Sequence, residues 1–259
     1  MPLRQLERFA GHGLDRASTH EAYTERNAAL SSTARRTGVR LGREERVDNI
    51  LAVARQVFAE RGYENTAVSE IAARIGIVEG TIYKYFETKR ELLLKVIESW
   101  YQELVTDYER NLAGVVGVHG RLRFLIWRHL QAIVDNPALT RLMFREIRSE
   151  ADYPGSNLYD LNKHYTGLIV DVVQQGIDDG TFRADLPLGF VRDMIFGGIE
   201  HHTWSFVAGR SPLDAEQVAD QVMSFVSSGI RREDVGNALD RQIQRLEGVA
   251  DRLDKVLKK

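Results

Sequence analysis

The residues best suited to recognition chemistry stand together at Gly80-Thr81-Ile82-Tyr83-Lys84-Tyr85. Gly80 would let backbone approach a ligand closely. Thr81 can bond a phosphate or touch a thymine methyl, and Tyr83, Lys84 and Tyr85 are ordinary phosphate partners, so the mixture suits a groove of duplex DNA. Residues fit for catalysis are sparse. His201 and His202 are adjacent, so on a helix they point about 100° apart and do not form a chelating pair. There is no glycine-rich phosphate loop, no nucleophile beside a base and no carboxylate cluster. The chain has no cysteine, which excludes disulfides, thiolate metal sites and a thiol nucleophile. No catalytic residue, metal ligand or cofactor is assigned.

These side chains need a short helix held at an angle to its neighbours, and the flanking sequence supplies one. Thr66 can cap a helix, because its hydroxyl can accept from an unpaired first-turn N–H. Val68, Ile71, Ala72 and Ile75 follow at helical spacing. Gly76 then ends that helix where a left-handed turn is expected, and Ile77 fills the angle. Glu79 to Tyr85 is expected to form about two further turns, with Ile82 and Phe86 facing inward. Thr88-Lys-Arg-Glu91 is a capping box opening the next helix. Lys89, in its first turn, adds a cation to a helix N-terminus and is expected to meet phosphate. The bland alternative is a three-helix packing unit whose Tyr and Lys are merely solvated.

From Arg46 to Leu94 the chain resembles the DNA-binding domain of the TetR family of bacterial transcriptional regulators. The resemblance is carried by an amphipathic first helix (Ile50, Leu51, Ala54, Phe58, then Gly62), by Thr66, Ile71-Ala72 and Gly76, by Gly80 to Phe86, and by Lys89 and Leu92. One departure is Val78, where the family usually places Ser or Thr to cap the recognition helix; its loss should cost roughly 1 kcal/mol locally. The resemblance implies an all-α fold: an N-terminal three-helix helix-turn-helix domain, then a C-terminal helical domain for ligand binding and dimerisation. It implies a homodimer on a palindromic operator, usually a repressor released by a small-molecule effector. DNA contacts would fall to Thr66, Gly80, Thr81, Tyr83, Lys84, Tyr85 and Lys89. Two readings compete with this: a helical-scaffold enzyme using His164, His201 or His202 as acid or base, and a DNA-binding architectural protein without an effector.

At 259 residues, 43% of them hydrophobic, the chain is long enough for two domains with real cores. The net charge of −2 argues against indiscriminate coating of nucleic acid. Affinity should come from a few placed contacts repeated in a dimer. No apolar run reaches membrane-spanning length and no signal peptide is legible, so a cytoplasmic location without membrane partners is expected.

The expected organisation is a flexible extension over 1–42, the helix-turn-helix over 43–90, the effector and dimerisation domain over 91–231, and an amphipathic C-terminal helix over 232–259. Arg35, Arg36, Arg40 and Arg43 gather just before the first DNA-binding helix, where an arm could enter a minor groove. Leu239, Ile243, Leu246, Ala250, Leu253 and Leu257 follow a short heptad pattern. In the second domain Phe124, Trp127, Phe144, Tyr165, His201, His202 and Trp204 are the candidate effector contacts, although aromatics at helical spacing are ordinarily core. Arg192 to Glu200 resembles the corresponding run in TetR-type regulators of fatty-acid metabolism that respond to acyl-CoA. The helices near 157–178 and 187–208 are where the resemblance places a homodimer interface, with Leu168, Val172, Met194, Ile195 and Gly198 on it. A four-helix bundle there would set two recognition helices about 34 Å apart.

Overall fold

Helical periodicity dictates the architecture, and in the computed structural model it is realised in nine α-helices and one π-helical turn among the described residues, which are 42–231 with Ile243, Arg245 and Leu246. The expectations for 1–41 and for the rest of 232–259 fall outside them. The α-helices are α1 (Arg43–Arg61), α2 (Val68–Ile75), α3 (Glu79–Ile82), α4 (Lys89–Leu112), α5 (Val118–Asp135), α6 (Pro137–Leu142), α7 (Asn157–Asp178), α8 (Leu188–Val207) and α9 (Ala215–Ile230). No strand occurs among the described residues, and the one sheet-like feature is an isolated bridge between Phe182 and Arg231.

Contacts divide the chain into two units. The first holds the described residues through Ser99 together with Leu142–Glu150, and the second holds Trp100–Arg141 and the described residues from Ala151 onward. The division falls inside α4, nine residues beyond the boundary expected at residue 90, because the apolar stripe of α4 runs unbroken through Leu92, Leu93, Val96 and Ile97 into Trp100.

In the first unit the core is Ile50, Ala54, Val57 and Phe58 of α1 against Ile71 of α2, Ile82 and Phe86 near α3, and Leu92, Leu93 and Ile97 of α4, all buried. Each full aliphatic or aromatic side chain removed from water contributes about 1.5–3 kcal/mol. The two short helices, α2 and α3, are therefore held by the shared core more than by helix propensity. The same unit takes in the π turn Met143–Ile147, whose defining bond runs from the Arg148 N–H to the Met143 carbonyl. Sequence spacing predicts continuous α-helix there.

In the second unit α5 packs against α7 and α9, and α7 packs against α8. Arg123 of α5 adds ion pairs to Glu216 and Asp220 of α9 at 2.8 and 2.7 Å, worth little because the partners are exposed. Two of the expected interface residues belong to this interior. Val172 and Ile195 are fully buried within their own chain, so a partner cannot reach them. The reason is phase: on α8, Ile195 follows Met194 by 100°, and the two fall on opposite sides of the boundary between core and surface.

Candidate nucleic-acid interface

The reading segment is built from three helix ends. α1 stops at Gly62, whose φ of +73° only glycine adopts cheaply. Thr66 does not cap α2. Its hydroxyl donates to the Gly62 carbonyl at 2.7 Å, its side chain is buried, and the N-cap falls on Ala67. A threonine hydroxyl that finds a carbonyl one turn back is diverted from capping, so Thr66 holds the loop and is not placed to touch DNA. α2 ends as expected at Gly76, left-handed at φ +80°, with the N–H groups of Gly76 and Ile77 both donating to the Ala72 carbonyl at 3.0 Å.

α3 begins at Glu79 after an extended Val78 that offers no side-chain cap and is 74% exposed. The regular α-helix lasts only through Ile82. Beyond it the chain tightens, with Lys84 N–H donating to Thr81 O at 3.3 Å and Tyr85 N–H to Ile82 O at 2.9 Å, an i to i+3 pattern. Ile82 and Phe86 are buried as expected. Gly80, Tyr83 and Lys84 are exposed, while Thr81 and Tyr85 are partly so. A Cβ at Gly80 would meet nothing within 4 Å, so this surface is open to a ligand. Among the described residues the Lys84 ammonium has no hydrogen bond or ion pair, which leaves its charge available.

Several other cations of this unit are engaged internally. Arg74 of α2 bonds Glu60 of α1 at 2.7 Å and Glu70 at 2.6 Å. The hydrogen bonds from Arg74 hold both carboxyls below their ordinary range, and the two carboxylates push the guanidinium's own pKa up. Arg90 donates to the Glu146 carbonyl in the π turn. Half of the expected capping box of α4 forms: Thr88 Oγ1 accepts from Glu91 N–H at 3.0 Å, but the Glu91 carboxylate accepts from Glu87 N–H, one residue before the cap. Lys89 bonds within the unit as well. Its Nζ lies 2.9 Å from the Tyr63 carbonyl oxygen, 3.1 Å from that of Thr66 and 3.4 Å from that of Glu64, and 4.5 Å from the centroid of the Tyr63 ring. The Glu70 half of the Arg74 bridge follows the four-residue spacing of one helix, whereas the Glu60 half and the lysine contact were not legible from spacing, because those partners lie in another helix or a loop.

The candidate effector residues do not line one site. Phe124 and Trp127 are half-buried neighbours with ring centroids 6.1 Å apart. Tyr165 is buried, and its hydroxyl lies 2.7 Å from that of Tyr108 and 2.6 Å from His129 Nδ1, with the Phe196 ring alongside. Burial pushes both phenols' pKa values up, so they stay neutral donors. His201, His202 and Trp204 lie on the exposed face of α8, and Phe144 belongs to the first unit, under the guanidinium of Arg148. Tyr108, His129 and Phe196 were missed, since nothing in their spacing links three different helices. Of the expected interface residues, Met194 and Gly198 share the exposed face of α8 with Phe190 and Trp204, and Leu168 is partly exposed. His164 is a surface residue paired with Glu109 at 3.1 Å.

Comparison with known proteins gives this geometry its family. The description "Bacterial regulatory proteins, tetR family" matches residues 50–96, and "YsiA-like protein, C-terminal region" matches residues 97–229. The chain belongs to the TetR family of bacterial regulatory proteins. It is 32% identical over 190 residues to the transcriptional repressor KstR2 of Mycobacterium tuberculosis strain H37Rv, covering 72% of this chain and 93% of that one. Its fold is similar to the crystal structure of FadR from Bacillus subtilis in complex with stearoyl-CoA, with a TM-score of 0.63, 25% identity, and coverage of 70% and 98%. It is also similar to the structure of the ketosteroid regulator KstR2 of Mycobacterium tuberculosis, with a TM-score of 0.53, 30% identity, and coverage of 73% and 96%. As a TetR-family protein the chain is a DNA-binding transcriptional regulator and not an enzyme. Its exposed Gly80–Lys84 surface lies in the segment matched to the family's DNA-binding part. Among the described residues no helix is long and apolar enough to cross a membrane.

Proposed function

We propose that the chain is a cytoplasmic homodimeric repressor that leaves a palindromic operator when its second unit takes up a largely apolar effector. The first candidate for that effector is a coenzyme A thioester of a long-chain acid. The observation that carries the DNA half of the reading is the open Gly80–Lys84 surface, whose lysine ammonium has no partner among the described residues, set on a segment anchored in the core by Ile82 and Phe86. The dimer is supported by α8, whose outer face presents Phe190, Met194 and Trp204, 62%, 51% and 50% exposed, around Gly197 and Gly198. Large apolar side chains gathered on one helix face mark an interaction surface. The effector class is supported by the likeness to FadR, solved with stearoyl-CoA, and to the KstR2 repressor.

An effector releases DNA only if it binds the two conformations unequally. The test is therefore a titration. Purified protein is bound at moderate salt to a palindromic segment near its own gene, and stearoyl-CoA, stearate or free coenzyme A is added. Release by stearoyl-CoA at concentrations where neither fragment acts supports the proposal. A complex that persists through saturating stearoyl-CoA removes this effector class, and persistence with every small molecule tried would favour an architectural protein.

A further inference from the structure

We infer that residues 239–257 form a second dimer contact peculiar to this chain, in which the segment pairs in parallel with the same segment of a second copy. The inference rests on the homodimer proposed above. The segment lies beyond residue 229, the last one matched to the family. Its apolar residues recur at alternating spacings of four and three, with Leu239, Leu246 and Leu253 at one seam position and Ile243, Ala250 and Leu257 at the other. This is the heptad pattern of helices that wrap around each other, and leucine at every d position with a β-branched residue at an a position favours two strands. The described residues Ile243, Arg245 and Leu246 are helical. Ile243 is 43% and Leu246 68% exposed, and Arg245, on the opposite side of that turn, is exposed as well. Neither face of the turn is covered by its own chain, so the seam there is open to a partner.

The flanks of the seam set the orientation. Asp240, Glu247 and Asp254 each follow a seam leucine on one flank, whereas Gln242, Val249 and Val256 line the other. An antiparallel pair would set the acidic flank against itself. A parallel pair sets it against the uncharged flank and meets no like charge. A seam of fewer than three heptads is marginal by itself, and the fold supplies what it lacks. Arg183 N–H donates to the Ile230 carbonyl at 3.0 Å and Phe182 bridges Arg231, which fixes the point where the segment leaves the second unit. Seven residues, Arg232 to Ala238, then lead to Leu239 and reach at most about 25 Å. In a dimer the two segments start from equivalent fixed points, and so short a link raises the effective concentration of each for the other to about the millimolar level. The body of the dimer thus closes the seam, and the seam in turn holds the body.

The chain contains no cysteine, so single cysteines report the pairing. Leu239→Cys and Leu253→Cys stand toward the two ends of the seam, and a disulfide needs Cα atoms within about 7 Å of each other. Each full-length variant is treated with oxidised glutathione at a concentration where it sediments as a dimer, beside Arg241→Cys on the polar face as control. Both seam variants are expected to run as covalent dimers on non-reducing gels, and the control as a monomer. Leu246→Asp, at a site already exposed within one chain, is expected to weaken dimerisation about 100-fold in sedimentation equilibrium, the low end of what a second linked contact adds. The inference is overturned if either seam cysteine stays reduced, if Arg241→Cys bridges as readily, or if Leu246→Asp dimerises as tightly as the natural chain. A natural chain that is monomeric at every concentration removes the homodimer and this inference with it. A dimer whose seam cysteines do not bridge removes the inference alone.

Discussion

Replacing Gly198 by Leu should move folding and assembly in opposite directions. Gly198 sits mid-helix in α8, on the exposed face, and a Cβ there would meet nothing within 4 Å. Within one chain the substitution has no clash to overcome, and it exchanges the poorest helix former after proline for a good one, a gain of about 0.8 kcal/mol. In a dimer the same position lies between Met194 and Trp204 on the surface assigned to the partner, where a glycine pair lets two backbones come close. Forcing a leucine into a packed contact costs about 1–3 kcal/mol, which is roughly a five- to 150-fold weaker dimer at 1.4 kcal/mol per factor of ten. Sedimentation equilibrium across a wide concentration range gives the dimerisation constant, and circular dichroism on the same samples reports helix content. The expected result is unchanged helix content with dissociation shifted by one to two decades. A variant that dimerises as tightly as the natural chain, or more tightly, would refute the argument that this face is the interface and that the glycines permit close approach.

Val78→Thr should restore the missing cap of α3, adding about 0.5–2 kcal/mol to the local helix and tightening operator binding; a thermal midpoint and affinity that both stay put would show that the bare N-terminus costs nothing. Gly176→Ala should destabilise the second unit by about 1–3 kcal/mol, because the new Cβ would stand 2.1 Å from Cδ2 and 2.9 Å from Cγ of the buried Phe182 ring, and chemical unfolding followed by circular dichroism would measure the loss. Glu60 and Glu70 have folded-state pKa values below the ordinary carboxylate value because Arg74 bonds them. Their contribution is therefore complete above that ordinary value and is lost as pH falls through the lowered one. Arg74→Met should make acid unfolding of the first unit begin at higher pH, and an unaltered acid limb would show that the bridge is too exposed to matter.

What could be read from the sequence is what local chemistry decides. Gly76 ends its helix because the left-handed turn is a property of glycine itself, and Thr88 caps α4 by accepting from the N–H of Glu91, three residues on. The inward set Ile71, Ile82 and Phe86 was legible because a short helix with one buried face admits a single phase. What could not be read depends on partners distant in sequence. The carbonyls that Lys89 bonds lie in a loop that no side-chain pattern advertises. Thr66 looked like a cap and proved to be a tether, since both uses need the same hydroxyl. Val172 and Ile195 were placed on an interface because the resemblance puts one on their helices, but both lie on the faces of those helices that pack inside the chain. Tyr165 drew notice as an aromatic, yet its role depends on Tyr108 and His129 from two other helices. The π turn at Met143–Ile147 keeps an ordinary helical pattern of apolar residues, so periodicity could not mark it.

The central claim is that two copies of the Gly80–Tyr85 surface, held by one dimer, meet the same duplex. Its most direct test is the salt dependence of operator binding by Lys84→Ala, because each phosphate contact removed lowers the slope by about 0.9. Two protomers should therefore lose about 1.8 in slope together with affinity, at unchanged thermal stability. A slope equal to that of the natural chain would contradict the account, and a loss of only about 0.9 would mean that one protomer alone reads the DNA.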